Sequence, residues 1–198
     1  MYIVGLTGGI GSGKTAASDY FALSYDIEIV DADIVAREVV MQGQPALQAI
    51  ADHFGQHILL EDGSLNRAAL RAIVFADPQQ RKILESITHP AIRAMIQHKL
   101  SISRSPYTLL VSPLLFESGQ YQFAHRNLVI DVSEELQWQR ASARDNVSSE
   151  QIKQIMAAQL SREARLSRAD DIAINNGDLA YLHLQLDGLH QKYLQLSR

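Results

Sequence analysis

Residues 2–15 of the chain read YIVGLTGGIGSGKT. The apolar first part predicts a short buried strand over Tyr2–Leu6. Gly8 to Thr15 satisfy the pattern G-x-x-x-x-G-K-[ST], in which glycines let backbone amides approach phosphate oxygens closely. A helix predicted over Thr15–Leu23 directs the positive end of its dipole at the same anion. The stretch therefore predicts a nucleotide-phosphate loop, against the alternative of a glycine-rich turn without a ligand.

The loop gives neighbouring residues separate roles. Lys14 is expected to reach the β- and γ-phosphates of ATP and so to act in catalysis, and the hydroxyl of Thr15 is the predicted Mg²⁺ ligand. The residues expected to bind the nucleotide form one run: Gly11, Ser12, Gly13, Lys14, Thr15 and Ala16.

The surrounding pattern predicts an α/β fold. A second strand over Ile27–Val30 follows the first helix, and strand, loop, helix and strand within about thirty residues are typical of a parallel βαβ unit. Further strands are predicted at Tyr107–Val111, Leu128–Val132 and Ile172–Ile174, and a closing helix at Asp178–Leu196. The predicted fold class is a P-loop nucleoside-triphosphate-hydrolase-like parallel sheet with a helical insertion and a helical lid.

The long segment between the second and third strands is predicted to be helical from Ile34 to Ser103. Asn66 is an expected N-cap, and Pro78 and Pro90 are expected in the first turns of helices. We therefore expect a single domain of three parts, with approximate bounds as follows: a core of 1–32, 105–135 and 168–198, an insertion of 33–104 and a lid of 136–167.

Composition excludes several classes of site. The 198 residues include no cysteine, so disulfides, thiolate metal sites and cysteine nucleophiles are excluded. No apolar run approaches the roughly 18 residues that span a bilayer, and no basic region precedes the apolar N-terminus, so we expect a cytoplasmic protein without a membrane partner. The net charge of −4 and the lack of a basic run predict no nucleic-acid partner. Oligomeric state is left open.

The phosphate loop alone does not decide the reaction, because GTPases, ATP-driven motors and small-molecule kinases all use it. A GTPase would carry an Asn-Lys-x-Asp guanine reader, and the sequence has none. A motor usually has a hydrophobic strand ending in Asp beside the loop strand. Val30-Asp31 has that form, so this feature does not exclude a motor.

Two carboxylates follow the second predicted strand, where ligands of open α/β sheets bind. Asp33 is expected to accept or orient the proton of an attacking hydroxyl, and Asp31 to contact the substrate or to help hold Mg²⁺ through water. The alternative is that one of them caps a helix predicted over Ile34–Val40.

The stretch predicted as a lid is rich in arginine, although the whole chain has only five lysines. The planar fork of arginine binds phosphate bidentately, which lysine cannot do. Arg140 is the predicted catalytic member, and Arg144 is a predicted nucleotide contact. The alternative is a solvated helix face on which acidic residues pair with some of the arginines. The arginines are Arg140, Arg144, Arg162, Arg165 and Arg168, and the acidic residues are Asp145, Glu150 and Glu163.

His89 and Arg93 form a second candidate pair. His89 is expected to cap a helix begun by Pro90, and Arg93, one turn later, to hold an acceptor phosphate. A purely structural role is the alternative for each. The other six histidines are scattered and predict no metal site.

In order and in combination, these motifs closely resemble bacterial dephospho-CoA kinases over nearly the whole chain. The shared pieces are Leu6–Lys14, Asp31–Asp33, His89-Pro90 with Arg93, Val111–Glu117, Gln139-Arg140, Arg144-Asp145 and Ala169–Gly177. Two departures are small: Lys14-Thr15-Ala16 replaces a common Lys-Ser-Thr, and Asn146 stands where glycine is common.

The resemblance implies that ATP phosphorylates the ribose 3′-hydroxyl of dephospho-CoA to give CoA and ADP. It implies that Asp33 is the base, that Lys14 and Arg140 stabilise the transferring phosphate, and that the insertion binds CoA. The acceptor pocket is expected to involve Pro113, Leu114, Leu115, Phe116 and Glu117, and the adenine site Asn175, Asn176 and Gly177. Two alternatives stay open: a kinase of another small alcohol or nucleotide, and a non-catalytic nucleotide-binding regulator.

Overall fold

The computed structural model describes residues 1–144 and 149–198 of the chain. Five parallel strands form one sheet in the order β2-β3-β1-β4-β5. Their bounds are β1 Tyr2–Gly8, β2 Ile29–Asp31, β3 Tyr107–Val111, β4 Arg126–Asp131 and β5 Asp171–Ile174. The predicted α/β class and its parallel sheet are therefore confirmed.

Helices connect the strands. The described α-helices are α1 Lys14–Tyr25, α2 Ala32–Glu38, α3 Pro45–Phe54, α4 Arg67–Ala76, α5 Pro78–Ile102, α6 Glu134–Arg144, α7 Ser149–Ala158, α8 Arg162–Leu166 and α9 Leu179–Leu196. Short 3₁₀ turns occur at Gln56–Ile58 and Gln120–Phe123. Between Ala32 and Ile102, all of which the structure describes, an isolated bridge from Leu59 to Leu65 is the only strand-like pairing.

The chain divides into two compact units. One contains Met1–Asp31 and Leu100–Arg198, and the other contains Ala32–Lys99. The first holds the whole sheet, and the second is helical apart from its turns and the isolated bridge.

The second strand begins two residues later than predicted. Asp26 ends α1 in the left-handed region, with φ 54°, and its N–H bonds back into the helix. The N–H of Ile27 likewise bonds to the carbonyl of Phe21, so Ile27 belongs to the helix end although it is buried. Apolar character alone does not separate a buried turn from a buried strand.

The prediction for Pro90 is wrong. Pro90 lies inside the 25-residue helix α5, whereas Pro78 is the first helical residue, as expected. An interior proline removes the donor for the carbonyl four residues earlier, here that of Ser86, at a cost of about 3 kcal/mol. The cost is local and the rest of α5 stays helical, so His89 is an interior residue and not an N-cap.

The sheet core of the first unit is closed by α1 and α9, which pack against each other; α1 also packs on β1 and β3, and α9 on β5. α9 begins where predicted, because Asp178 accepts a hydrogen bond from the N–H of Tyr181 as its N-cap. The buried core residues include Val4, Leu6, Phe21, Tyr107, Leu109, Leu128, Ile130, Leu182, Leu186 and Tyr193.

A buried carboxylate fastens α9 to the sheet. Asp171, at the start of β5, accepts hydrogen bonds from Arg126 Nε at 2.8 Å, Lys192 Nζ at 2.5 Å and Tyr193 Oη at 3.2 Å. Burial alone would raise the pKa of Asp171, but the hydrogen bonds from Arg126 and Lys192 outweigh it and hold the pKa below its usual range. Asp171 is therefore a charged anchor between β4, β5 and α9.

A second set of contacts joins α9 to α1. Asp187 Oδ1 accepts hydrogen bonds from the hydroxyls of Tyr20 and Tyr25, each at 2.6 Å. His183 stacks on Tyr20 and His190 stacks on Tyr25, with ring centroids 3.9 Å and 3.7 Å apart. These contacts fix the register of the two helices.

Candidate active site

The parallel sheet brings five predicted site segments to one edge. The carboxyl ends of parallel strands meet at the same edge, and ligands of open α/β sheets bind there. The segments at this edge are the glycine loop after β1, Asp31 at the end of β2, 113–117 after β3, α6 after β4, and Asn175–Gly177 after β5.

The glycine loop has the backbone that its sequence predicts. Gly11 and Gly13 lie in the left-handed region, with φ 69° and 92°, which side chains disfavour. α1 begins at Lys14, immediately after Gly13. The amine of Lys14 donates to the carbonyls of Gly8 at 2.9 Å and Gly9 at 3.1 Å. Lys14 is thus held over the loop whose phosphate it is predicted to contact.

The remaining loop residues are placed unequally. Ser12 is fully buried, and within the described part of the chain its hydroxyl has no hydrogen-bond partner. Thr15 is exposed on the first turn of α1, and Ala16 is partly buried beside it. An exposed hydroxyl at this position fits a single oxygen ligand to a cation carried by the nucleotide.

The segment after β5 holds the loop from the side. Asn175 is 5% exposed, and its side-chain amide donates to the carbonyl of Ser12 at 2.8 Å. A Cβ on Gly13 would collide with that same amide nitrogen. Asn176 accepts from the N–H of Ser133 at 2.9 Å, and Gly177 is exposed. Two of the three predicted adenine-site residues therefore also brace the loop and the start of α6.

α6 passes directly over the loop. A Cβ on Gly11 would lie 2.9 Å from the carbonyl oxygen of Gln137 and 3.3 Å from Cβ of Arg140. The missing side chain of Gly11 is what allows this approach. Cβ of Arg140 therefore lies beside the phosphate loop, as its predicted catalytic role requires.

The other arginines of the predicted lid divide into different roles. Arg162 forms a bidentate ion pair with Asp131, with Nε 2.8 Å and Nη2 2.6 Å from its oxygens. Arg165 is 5% exposed and donates to the carbonyl of Leu160; burial lowers the pKa of its guanidinium. The side chain of Arg144 lies outside the described residues.

Asp131 is the partner that the sequence reading missed. It ends β4, which pairs directly with β1, whereas Val30-Asp31 lies on β2, separated from β1 by β3. The signal was present, because Leu128-Val129-Ile130-Asp131 is also a hydrophobic strand ending in Asp. Strand order, which sequence does not give, decides which of the two aspartates stands beside the loop.

The segment after β3 is split between core and surface. Leu115 and Phe116 are buried, while Leu114 and Glu117 are exposed and Pro113 is partly exposed. Leu115 lies against the strand β1, since a Cβ on Gly5 would be 2.8 Å from its Cδ2. The exposed surface of this segment therefore comes from Pro113, Leu114 and Glu117.

Asp31 and Asp33 flank the β2–α2 junction. Asp31 is the last residue of β2, and α2 begins at Ala32, two residues earlier than predicted. Asp33 is exposed in the first turn of α2, where a negative charge is favoured by the helix dipole. Asp33 is thus the second residue of the helix, two positions beyond the capping position.

In the second unit, His89 and Arg93 are four residues apart on α5 and both are exposed. Other residues of α5 line a cavity of about 280 Å³ together with residues 39 and 44–46. The lining residues are Ala91, Ala94, Met95, His98, Val39, Gln44, Pro45 and Ala46. The cavity is mainly apolar.

No group of three or more metal-ligating side chains occurs among residues 1–144 and 149–198. The helices of the same ranges include none with the length and hydropathy of a membrane span.

Comparison with known proteins agrees with this geometry. The family model described as dephospho-CoA kinase matches residues 2–181. The chain belongs to this family. A dephospho-CoA kinase of Acinetobacter baylyi is 57% identical over 194 residues, covering 98% of this chain and 99% of the relative.

Solved structures agree with the family assignment. A dephospho-CoA kinase from Campylobacter jejuni superposes with a TM-score of 0.75 at 28% identity, covering 99% of this chain and 98% of that one. A Thermus thermophilus protein superposes with a TM-score of 0.81 at 30% identity, covering 96% and 97%. Membership of the dephospho-CoA kinase family makes the protein a kinase and confirms the resemblance seen in the sequence.

Proposed function

We propose that the protein transfers the γ-phosphoryl group of ATP to the ribose 3′-hydroxyl of dephospho-CoA, giving CoA and ADP in the last step of coenzyme A biosynthesis. One observation carries the proposal: the family match spans residues 2–181 of a chain that keeps the whole phosphate loop, Gly8 to Thr15.

The donor side of the reaction falls to the loop and α6. Phosphoryl transfer needs positioning and charge stabilisation more than covalent help from the protein. The amides of Gly11 to Ala16 would hold the phosphates, and Lys14 and Arg140 would neutralise the charge that develops in transfer. The proximity of Arg140 Cβ to Gly11 supports this pairing. We assign the adenine to Asn175, Asn176 and Gly177.

The acceptor hydroxyl is assigned to Asp33. A carboxylate at this position can accept or orient the proton of the attacking hydroxyl. Asp31, at the carboxyl end of the sheet, would assist in binding. The acceptor would also meet the segment Pro113–Glu117, which supplies exposed surface through Pro113, Leu114 and Glu117.

Magnesium would reach the site with the nucleotide. The exposed hydroxyl of Thr15 fits one ligand position, and Mg²⁺ commonly takes its remaining ligands from phosphates and water. When bound, the ion would offset the negative charge of the phosphates during transfer.

We propose that the insertion, residues 33–104, binds the CoA portion of the acceptor through His89 and Arg93. The apolar cavity on the same helix supports this, because the arm of CoA is long and largely uncharged. Residues 136–167 would act as a lid over the nucleotide. Cytoplasmic location and the lack of a nucleic-acid partner stay predictions.

A coupled ADP-release assay tests the proposal. The purified chain is assayed with ATP and, separately, dephospho-CoA, nucleoside monophosphates, gluconate and shikimate. We expect turnover with dephospho-CoA to exceed every other acceptor by at least tenfold. Preference for another acceptor would make the chain a different small-molecule kinase, and no turnover with any acceptor would favour the nucleotide-binding regulator.

A further inference from the structure

Gln159 joins the phosphate loop to the segment after β3. Its side-chain oxygen accepts a hydrogen bond from the N–H of Ile10 at 3.1 Å. Its side-chain nitrogen donates to the carbonyl of Pro113 at 3.1 Å. One side chain therefore bonds to the backbone of the loop at one end and to the start of the Pro113–Glu117 segment at the other.

The residues after Gln159 fasten the same stretch to the sheet. The N–H of Leu160 donates to Glu117 Oε1 at 2.6 Å, so the Pro113–Glu117 segment is held at both of its ends. Arg162 is paired with Asp131 at the end of β4, and Arg165 donates to the carbonyl of Leu160 at 2.8 Å. These contacts hold the backbone of Gln159 in place, so its amide is presented to the loop by an ordered stretch.

The chemistry of the two contacts selects glutamine. One partner is a backbone N–H and the other is a backbone carbonyl, so the bridging group must accept and donate at the same time. A carboxylate would face the Pro113 carbonyl without a proton to give, and an ammonium would face the Ile10 N–H without a lone pair. A primary amide meets both requirements without adding charge beside the phosphates.

We infer that Gln159 is a positioning residue, which holds the ATP-binding loop and the acceptor segment at a fixed separation. The inference rests on the proposed function, because it takes the loop as the donor site and Pro113–Glu117 as part of the acceptor site. Transfer between two bound groups is sensitive to their separation, and a misplacement of about 1 Å can cost about a hundredfold in rate.

The first test replaces Gln159 by methionine, which keeps the length and removes both hydrogen bonds. Gln195→Met is the matched control, because Gln195 is exposed on α9 and lies outside the residues assigned to the site. We expect Gln159→Met to lower kcat by 10- to 100-fold, with Kd for ATP and KM for dephospho-CoA changed less than fivefold. We expect Tm to fall by less than about 5 °C. A kcat within twofold of wild type, or an equal loss in Gln195→Met, would overturn the inference.

The second test observes the tie directly and needs no turnover. Amide hydrogen exchange followed by NMR should show the Ile10 N–H protected in the nucleotide-free wild type and exchanging at least tenfold faster in Gln159→Met. An Ile10 amide that exchanges in wild type like an unstructured peptide contradicts the inference, even if the variant fails to fold. If wild type does not phosphorylate dephospho-CoA, the proposed function fails, and the exchange of Ile10 still decides whether Gln159 ties the loop.

Discussion

Arg140 stands where α6 comes closest to the phosphate loop. Cβ of Arg140 would lie 3.3 Å from a Cβ placed on Gly11. Arg162, by contrast, is committed to Asp131, and the pKa of its guanidinium is raised by that hydrogen bond and by the charge of Asp131. Of these two arginines, Arg140 lies beside the phosphate loop and Arg162 is paired with Asp131.

Arg140→Lys keeps the charge and loses the planar fork. We expect kcat to fall more than tenfold, which corresponds to about 1.4 kcal/mol of transition-state stabilisation. ADP-release kinetics measure the loss, and Arg104→Lys, at an exposed arginine outside the predicted site, serves as the control. An unchanged kcat in Arg140→Lys would contradict a catalytic role and would leave Arg140 as a surface charge.

Asp33→Asn separates a proton acceptor from a helix-end charge. If Asp33 accepts the proton of the hydroxyl, kcat should fall by roughly 10²–10⁴-fold with little change in ATP affinity. If its charge only favours the first turn of α2, stability should fall by about 0.3–1 kcal/mol and kcat should persist.

Turnover, ATP binding and Tm are measured together on Asp33→Asn, with Asp19→Asn on α1 as the control. Asp19 is an exposed aspartate in the other unit of the chain. A near-normal kcat would rule out the base and make Asp31 the next carboxylate to test.

At this scale the sequence predicts the loop well and the side-chain pairing poorly. The loop is local, because Gly11, Gly13 and Lys14 act through their own backbone and the adjoining helix. The pairing of Arg162 with Asp131, 31 residues away, depends on strand order. The tie from Gln159 to Ile10 spans 149 residues and has no pattern in the sequence.

Among the elements, α9 is tied to two strands of the sheet by one buried carboxylate, that of Asp171. Asp171 is 7% exposed and bonds to residues of β4 and α9. Removing one partner of a buried ion pair leaves the other charges without compensation. Asp171 therefore contributes directly to holding α9 on the sheet.

Asp171→Asn should lower the free energy of unfolding by about 3 kcal/mol, or Tm by about 6 to 12 °C. Thermal unfolding followed by circular dichroism measures the change. Asp19→Asn, on the exposed face of α1, should stay within about 0.5 kcal/mol of wild type. Equal Tm values for Asp171→Asn and wild type would contradict the anchoring role.

Elements with strong local signals were predicted closely. The strand Tyr107–Val111 and the N-cap Asn66, which accepts from the N–H of Ala69, match the structure. The prediction that a helix begins at Pro90 is wrong, because α5 continues through this residue. The preference of proline for the first turn of a helix is only a local tendency.

At the scale of the molecule, pH acts on the contact between α1 and α9. Burial lowers the pKa of His190, against a smaller opposing effect of the Asp187 charge. Facing His190 are Tyr107 of β3, with its hydroxyl 2.8 Å from Nδ1, and Tyr25 of α1, stacked on the ring. The neutral imidazole is therefore the form that the folded chain favours.

A depressed histidine pKa makes stability depend on pH with a known sign. The unfolded chain protonates His190 near pH 6.5 and the folded chain only at lower pH. The contribution of neutral His190 to the free energy of unfolding is therefore present above about pH 6.5. It is lost as the pH falls towards the pKa of His190 in the folded chain. Urea unfolding at pH 7.5 and 5.5 measures the effect. The free energy of unfolding should fall less between pH 7.5 and pH 5.5 in His190→Gln than in wild type.

His57→Gln, at an exposed histidine of the other unit, is the control for that comparison and should keep the wild-type dependence. Identical pH dependence in wild type and His190→Gln would contradict a buried neutral imidazole.

The fold class and the family follow from the sequence because their motifs recur in a fixed order. Strand order and the contacts across the site do not, since each depends on residues brought together from distant parts of the chain. The sequence also predicts a helical stretch between β2 and β3, but not that its last helix, α5, runs uninterrupted through Pro90.

Product analysis with Lys14→Ala tests the central claim most directly. The chain is incubated with ATP and dephospho-CoA, and the product is identified by mass spectrometry and ³¹P NMR. Wild type should yield ADP and a product with one new phosphomonoester at the ribose 3′ position, identical to CoA. Lys14→Ala should yield none, because it loses the amine that donates to the carbonyls of Gly8 and Gly9. The variant should remain folded, because Lys14 is only partly buried and lies outside the hydrophobic core. Phosphate at another position, or wild-type turnover in Lys14→Ala, would contradict the account.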